Sequence, residues 1–320
     1  MGKPLSEEAK RKISEAFARR RAEKGIDDNG KPIIPTVLTI KPETVRMDDV
    51  HFDPQIFVPM KTGKAVDRLF STDGGLTRAT NFMVVGDPGV GKSTVMMDVL
   101  SDLQASGLNV LFVSGEMDRF DLYGYVKRYP KFGKLDILFM GEYLDENPKL
   151  VLEEMLKIGY DVVLLDSFVE VQDTVKSALG MSTGEAEKWL VDLMRLHNGA
   201  NNDAQVYTSF LCIQQVNKGG NFVGSNKLKH NTTGMMEIRF DEDGNRYLEF
   251  SKNRRGEVQK KLFFSLKETG DVHYDEVRYD LDEAARDVVE AERTRLQEEN
   301  TDWNKTFGDV KVQEVDEDDE

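Results

Sequence analysis

Short runs of consecutive apolar residues alternate with helical patterns through the middle of the chain. The runs lack the alternation of a strand with one face in water: FMVVG (82–86), NVLFVSG (109–115), LDILFM (135–140), YDVVLLD (160–166) and VYTSFLCI (206–213). Such runs are typical of parallel strands buried on both faces. The segments between them, 91–106, 118–129, 147–158 and 182–198, carry helix signals such as Asn147-Pro148 and the Ser182/Glu185 capping box. We therefore predict an α/β fold with a mostly parallel, doubly wound sheet.

After residue 235 the pattern changes. MEIRF, RYLEFSK and KLFFSL, with Asp243-Gly244 between the first two, predict antiparallel hairpin strands at the C-terminal end of the sheet. Beyond about residue 280 a charged helix is predicted, and we expect its apolar stripe to pack on the body: Leu281, Ala284, Val288, Ala291 and Leu296. The final VQEVDEDDE is too polar to fold alone.

Charge and composition suggest four segments: a basic helical segment 1–24, a linker 25–59, a core 60–275 and a charged helix with an acidic tail 276–320. The net charge is −15. Residues 271–320 hold 19 acidic and 6 basic residues, a net of −13, which leaves −2 for the rest of the chain. The acidity therefore belongs to the tail and does not exclude nucleic acid as a partner of the body.

Composition also narrows the class of protein. No apolar run reaches the roughly 18 residues of a membrane span, and the N-terminus has no apolar signal segment. The single cysteine, Cys212, cannot form an intramolecular disulfide, and the four histidines are scattered, which argues against a zinc site. We expect a cytoplasmic protein that does not bind membranes.

One motif carries a specific chemistry. GDPGVGKST (86–94) satisfies G-x-x-x-x-G-K-[ST], follows a predicted strand and opens a predicted helix. Backbone N–H groups of such a loop surround the β-phosphate of a nucleotide, Lys92 contacts the β and γ phosphates, and Ser93 ligates Mg²⁺. The predicted ATP-binding residues are Gly86, Asp87, Pro88, Gly89, Val90, Gly91, Lys92, Ser93 and Thr94.

Polar residues at the ends of the other buried strands are candidate partners of this loop. Asp166 ends VVLLD and is a candidate for holding Mg²⁺, with the alternative that it caps the next segment. Glu116 follows the second strand and could polarise the attacking water, although alone it looks like any surface glutamate. Gln214 and Gln215 end the last of these strands, and either could sense the γ-phosphate through its amide.

SKNRRGEV (251–258) places three cations, Lys252, Arg254 and Arg255, beside Gly256 at the end of a predicted strand. From the residues alone, this cluster of cations is explained equally well by a solvated basic hairpin turn and by a functional site.

Taken together, these features resemble the RecA-type ATPases. TGKAVDRLFSTDGGL (62–76), QQVNKGGNFVGSNKLKH (214–230) and KNRRG (252–256) look like the corresponding stretches of the bacterial RadA ATPases and DnaB-like hexameric helicases. The resemblance spans roughly residues 60–275. It implies an assembly, a hexameric ring or a filament, in which Lys252 and Arg254 reach the γ-phosphate bound by the neighbouring subunit. It also assigns catalytic roles to Lys92, Glu116 and Gln215.

The chain departs from RadA at several points. The family motif Lys-Asn-Arg-Phe-Gly has Arg255 in place of its Phe, the four-cysteine zinc module has no counterpart, and about 45 residues after 275 are too few for the protease-like domain. A compact, phage-encoded relative, working in the host cytoplasm, would fit. GKPLSEEAKRKISEAFARRR (2–21) resembles the modular DNA-binding helix of phage homing endonucleases, with a partnerless exposed helix as the alternative.

DNA contacts are expected from the loops after Asp166 and Gln215. The second loop offers candidates for binding and stacking on single-stranded DNA: Lys218, Phe222, Lys227 and Lys229. The first, 168–183, offers Lys176. We thus predict an ATP-hydrolysing motor on single-stranded DNA in recombination, repair or replication, which could work with single-strand-binding or recombination proteins. The alternatives are a strand-exchange recombinase or mediator, and a KaiC-like or scaffold ATPase whose nucleotide controls assembly with protein partners.

Overall fold

The computed structural model describes residue 8, residues 43–215, residue 228, residues 232–266 and residues 270–307. For residue 215 and residues 300–307 the description is of the backbone alone. The chain divides into two compact units, Met1–Phe52 and Asp53–Glu320. A short 3-10 helix, Met47–Asp49, lies in the first unit, and the β-sheet belongs to the second.

The strands of the described residues are β1 (Asn81–Gly86), β2 (Val110–Ser114), β3 (Ile137–Phe139), β4 (Val162–Asp166), β5 (Ser209–Gln215), β6 (Gly234–Phe240), β7 (Arg246–Asn253), β8 (Leu262–Leu266) and β9 (Val272–Tyr274). They form one sheet in the order β3-β2-β4-β5-β1-β6-β7-β8-β9. Pairing is parallel from β3 to β6 and antiparallel from β6 to β9. The predicted fold class, a mostly parallel sheet with antiparallel strands at its C-terminal end, is confirmed.

The continuous apolar runs are explained by burial on both faces of this sheet. Every residue of β1, β2 and β4 is buried. Alternate residues of a strand point to opposite faces, so Phe82 and Val84 belong to one cluster of buried residues and Met83 and Val85 to the other. Helices therefore have to cover both faces of the sheet.

The α-helices of residues 43–215 and 232–307 are α1 (Asp67–Phe70), α2 (Lys92–Ala105), α3 (Arg119–Arg128), α4 (Pro148–Lys157), α5 (Phe168–Leu179), α6 (Thr183–Asn198) and α7 (Glu276–Phe307). Two predicted helix starts are confirmed: the Asn147 side chain accepts a hydrogen bond from Leu150 N at 3.1 Å, and Ser182 with Glu185 forms a capping box. Among the described residues, none of these helices has the length and apolarity to cross a bilayer.

The segment after β4 corrects the sequence analysis, which treated 168–183 as a DNA-facing loop. It begins with helix α5, capped by the Ser167 side chain and ended by Gly180 in the left-handed region at φ 65°. Its buried residues have helical spacing and pack against the sheet: Phe168, Val171, Gln172 and Val175. Lys176 lies 2.9 Å from the Asp173 carboxylate, so its charge is already paired within the helix.

The expected packing of the apolar stripe of α7 is also wrong. Leu281, Val288 and Leu296 are 67%, 68% and 49% exposed. The helix contacts the body through a different face, on which Tyr279 is buried and the Arg68 guanidinium lies 4.3 Å from its ring centroid. Arg68 also pairs with carboxylates of the first turns of α7. One aromatic side chain and ion pairs therefore position this helix, not its aliphatic residues.

A buried cluster of charges fixes α2 relative to its surroundings. Asp98 and Asp102 on α2 form ion pairs with two ammonium groups: Lys64 Nζ lies at 2.8 and 2.7 Å from their carboxylate oxygens, and Lys131 Nζ lies at 2.5 and 2.7 Å. Asp271 lies 2.7 Å from the same Lys131 nitrogen. The Asp98 side chain is fully buried. The cluster thus ties α2 to segments before and after it in the chain.

We predict that Asp98→Asn destabilises the protein by about 3 kcal/mol, because it removes the most buried carboxylate while both ammonium groups stay in place. The matched control is Asp192→Asn, which disrupts the exposed Lys188–Asp192 pair of α6 and should cost at most about 0.5 kcal/mol. Urea unfolding of the three proteins measures both values. Equal losses in the two variants would contradict the structural role given to the cluster.

Candidate nucleotide site

The phosphate loop connects β1 to α2 by a backbone that tolerates no side chain at two glycines. At Gly86 an added Cβ would lie 2.2 Å from the Ile238 carbonyl oxygen. Gly91 has a φ of 105°, and an added Cβ there would lie 2.7 Å from Leu266 Cδ1. The loop therefore places its N–H groups at the N-terminus of α2, where the helix dipole favours an anion.

Lys92, the first residue of α2, turns back into the loop. Its Nζ donates hydrogen bonds to the carbonyl oxygens of Gly86 at 2.7 Å and Asp87 at 3.0 Å. Burial lowers the pKa of this ammonium, while the charges of Asp166, Glu116 and Asp87 act in the opposite direction. The Lys92 ammonium is thus held inside the loop, at the position where a bound phosphate would contact it.

Asp166 ends β4 beside the loop. Burial raises the pKa of its carboxyl group to about 6; the charge of Glu116 adds to that rise, whereas a hydrogen bond with Ser93 and the charge of Lys92 oppose it. Its Oδ2 atom is buried and has no hydrogen-bond partner among the described residues. This carboxylate therefore has a buried oxygen available to a ligand beside the phosphate loop.

Glu116 lies next to Asp166 because β2 and β4 are neighbours in the sheet. The backbone N–H groups of Gly115 and Glu116 donate to the Asp166 carbonyl oxygen at 2.8 and 3.3 Å. The Glu116 side chain is exposed and lines the same cavity as Lys92. The sheet thus brings together Lys92 and Ser93 of the phosphate loop, the predicted metal ligand Asp166 and the predicted catalytic Glu116.

The cavity over the phosphate loop has a volume of about 1070 Å³. Part of its lining was missed by the sequence analysis: Tyr125, Lys127, Arg128, Tyr129, Arg246 and Leu266. The first four belong to or directly follow α3, the helix that begins after Glu116. Arg246 and Leu266 come from β7 and β8, and only the pairing of β6 to β8 brings these strands to the cavity. No signal in the sequence places them there.

The two glutamines end the strand beside β1. In the parallel register, Gln214 is opposite Val85 and Gln215 is opposite Gly86. Gln214 is fully buried. The backbone of Gln215 thus lies at the level where the phosphate loop starts; its side chain is outside the described residues.

The basic residues of SKNRRGEV lie far from this cavity. Asn253 is opposite Gly234, which is opposite Phe82 near the start of β1. From Phe82 to Gly86 the strand rises about 13 Å toward the phosphate loop. Lys252 Nζ donates to the Thr232 carbonyl oxygen at 2.7 Å, and Arg254 is exposed. The sheet therefore separates Lys252 and Arg254 from the phosphate loop of their own chain.

The predicted DNA-binding residues Lys218, Phe222, Lys227 and Lys229 lie outside the described residues. The same is true of nearly all of the basic segment 1–24 and of residues 308–320 of the acidic tail. Their roles remain predictions from the sequence.

We predict that Asp166→Asn stabilises the nucleotide-free protein at pH 8. The folded-state pKa of about 6 lies above the ordinary 3.8 of an aspartic acid, so ionised Asp166 opposes folding. This penalty is absent below about pH 4, grows as the pH rises through the folded-state pKa, and is constant above about pH 7, at about 3 kcal/mol. Urea unfolding at pH 4.5 and pH 8 measures it, with Asp173→Asn as the exposed control. A variant less stable than wild type at pH 8 would refute the interpretation.

No protein-family model matches the chain. In sequence it is similar to the DNA repair protein RadA of Campylobacter jejuni, at 28% identity over 199 residues, and to that of Streptococcus pneumoniae, at 27% over 202 residues. Each alignment covers 62% of this chain and 42% or 44% of the relative. The chain thus spans less than half the length of these relatives.

Two solved structures are similar at a TM-score of 0.48 over 68% of this chain: the KaiC-like protein PH0186 of Pyrococcus horikoshii, at 16% identity, and the flagellar accessory protein FlaH of Methanocaldococcus jannaschii, at 12%. In this chain's own sheet, one strand, β5, separates the phosphate-loop strand β1 from β4, which carries Asp166, and β2 with Glu116 follows. By this strand order, its phosphate loop and its sequence relatives, the chain is a RecA-fold P-loop protein that resembles RadA.

Proposed function

We propose that this chain hydrolyses ATP at a site completed by a second copy of itself, and that it uses this hydrolysis to act on single-stranded DNA. The observation that carries the proposal is that two groups of predicted catalytic residues lie at opposite ends of the sheet. The phosphate loop, Asp166 and Glu116 meet at one end of the sheet, whereas Lys252 and Arg254 lie toward the other.

The loop and Lys92 bind the β and γ phosphates of ATP, and the ammonium exchanges its two carbonyl contacts for phosphate oxygens. Ser93 and Asp166 suit Mg²⁺, a cation that prefers oxygen ligands, because Asp166 has a buried oxygen without a hydrogen-bond partner among the described residues. Mg²⁺, when bound, neutralises charge on the phosphates. Asp166 then becomes a stabilised carboxylate instead of a buried, unmatched one.

Glu116 is the residue for water activation. Its side chain is exposed into the cavity, whereas its backbone is fixed by hydrogen bonding to the Asp166 carbonyl. A glutamate side chain beside the γ-phosphate orients a water molecule and accepts its proton as the water oxygen bonds to the γ-phosphorus, while the bond from that phosphorus to the bridging oxygen breaks and ADP leaves. Arg128 and Arg246 line the same cavity, so both contribute positive charge to the nucleotide from their own chain.

Lys252 and Arg254 act on the nucleotide of a neighbour. They cannot reach their own phosphate loop without breaking β7 away from β6. A cation supplied by a second subunit stabilises charge that develops in the transition state. Head-to-tail contacts of this kind generate rings or filaments.

DNA as the partner is supported by the name of the sequence relatives, DNA repair protein RadA. On this chain it depends on Lys218, Phe222, Lys227 and Lys229, which combine cations with an aromatic residue as single-strand channels do. A scaffold function, in which ATP controls assembly only, would need neither a DNA response nor turnover.

We therefore predict that single-stranded DNA raises the steady-state ATPase rate at least about fivefold, and that Lys218→Ala/Lys227→Ala/Lys229→Ala abolishes this increase but keeps the basal rate. Phosphate release is measured with and without a poly(dT) oligonucleotide, and the mass of each assembly is recorded in parallel. Lys92→Ala gives the background. An unchanged rate with DNA, together with nucleotide-dependent assembly, would favour the scaffold function.

A second prediction concerns the shared site. Arg254→Ala and Lys92→Ala should each be inactive, because every interface of a pure assembly lacks one half of the site. Their mixture should regain a fraction of wild-type turnover, since some interfaces combine an intact loop with an intact Arg254. Loss of such a cation typically costs about 10³-fold or more in rate, so recovery is measurable.

Binding of a fluorescent ATP analogue to Arg254→Ala should stay close to wild type, which separates loss of chemistry from loss of binding. Native mass spectrometry must show mixed assemblies. If they form and turnover does not return, Lys252 and Arg254 have no role at a neighbour's nucleotide.

A further inference from the structure

Two aromatic side chains on α3 are unusually exposed. Phe120 is 88% and Tyr123 71% exposed. They lie three positions apart, on the helix face that continues through Gly124 and Lys127, and those two residues line the nucleotide cavity. With a rise of 1.5 Å per residue, Phe120 is about 6 Å along the helix from Gly124. The aromatic pair therefore stands at the mouth of the cavity.

The surroundings of this pair are acidic. Glu116, Asp118 and Asp121 are exposed, and the last two form the capping box that starts α3. Of the cations nearby, Arg119 is already matched by the Glu142 carboxylate through two hydrogen bonds, of 2.6 and 2.9 Å, and Lys127 lies one turn beyond Tyr123, at the nucleotide cavity. The surface thus presents two apolar rings beside carboxylates, which suits a partner rich in guanidinium groups.

The chain itself carries such a partner surface, the basic turn of residues 252–256. Its backbone is rigidly supported: the Asn253 amide donates to the carbonyl oxygens of Leu69 and Phe70 at 3.1 and 3.2 Å, and Thr72 N donates to the Arg255 carbonyl at 3.1 Å. The side chains of Arg254 and Arg255 are exposed on this support. A preorganised turn loses little conformational entropy on docking.

We propose that Phe120 and Tyr123 form the docking site for the basic turn of a neighbouring copy, with the Arg255 guanidinium over the Phe120 ring and Asp118 and Asp121 balancing its charge. This inference rests on the proposed function, because the same docking would bring Lys252 and Arg254 to the cavity mouth. It also gives a physical reason for Arg255, which stands where the RadA motif has Phe: the aromatic group is supplied by the opposite surface.

The occupant must be a second copy. Within one chain the basic turn lies near the start of β1, whereas α3 follows the carboxyl end of β2. The two surfaces carry opposite charge and differ from each other. They therefore give a head-to-tail contact that repeats from copy to copy.

Cysteine cross-linking tests the contact on the full-length chain. Lys127→Cys, one turn beyond Tyr123 on the same exposed helix face, and Val258→Cys place thiols beside the two surfaces and leave Phe120, Tyr123 and Arg255 intact. Cys212 is fully buried, and burial raises the pKa of its thiol, so it gives little background. With ATP and Mg²⁺ present, a short bismaleimide should yield a ladder of covalent dimers, trimers and larger species on a denaturing gel.

Adding Phe120→Ala or Arg255→Ala to this pair should reduce the ladder at least fivefold. Leu150→Ala, which truncates an exposed apolar residue of α4, should leave it unchanged. Each variant is first checked for an unaltered thermal transition. A ladder no stronger than in either single-cysteine protein, or a ladder insensitive to Phe120 and Arg255, overturns the proposal.

The outcomes separate this inference from the proposed function. If the ladder forms but the mixture of Arg254→Ala and Lys92→Ala stays inactive, the docking surface stands and the shared catalysis fails. If the mixture regains turnover without a ladder, the neighbour docks elsewhere. If Phe120→Ala weakens binding of the ATP analogue and spares the ladder, the ring serves the nucleotide and the docking proposal is wrong.

Discussion

The electrostatics of the whole site depend on two buried charges, the Lys92 ammonium and the Asp166 carboxylate. Each is destabilised by burial, as the lowered pKa of the one and the raised pKa of the other indicate. Without a nucleotide they offset each other only partly, and two backbone carbonyl groups hold Lys92 in place. The fold thus maintains a local electrostatic penalty that phosphate and a cation would remove. Core burial on both faces of the sheet supplies the stability that keeps such a site rigid.

The direction of the strands imposes the second constraint. Parallel strands bring their carboxyl ends to one edge, which gathers Gly86, Asp166 and Glu116. The antiparallel turn after β6 sends the chain back, so β7 begins at this edge with Arg246 and ends away from it near Lys252. One strand therefore carries a cation for its own cavity at its start and cations directed elsewhere at its end. In the assembly that we propose, these cations would serve a second copy without any change in the fold.

Much of this could be predicted from the sequence because the signals are local. Doubly buried strands give continuous apolar runs, and the phosphate loop is defined by its own glycines. The helix after β4 had equally local signals, the cap Ser167 and the left-handed Gly180, but a family resemblance favoured a loop there. Arg246 and Leu266 could not have been found, since only the pairing of strands β6 to β8 brings them to the cavity. The apolar stripe of α7 was misread because ion pairs and Tyr279, on another face, position that helix.

Helix α2, which begins at the phosphate loop, is anchored by buried contacts on several sides. One and a half turns after Lys92, Asp98 joins the buried cluster with Lys64 and Lys131, and it accepts a hydrogen bond from Val272 N of β9 at 3.2 Å. A shift of α2 would break these contacts together, so they hold the phosphate loop in place. The exposed groups around it, Glu116 and the aromatic pair of α3, are the ones a partner can reposition. In the assembly that we propose, a neighbouring copy would therefore act on the rate through these exposed groups, with the loop as a fixed receptor.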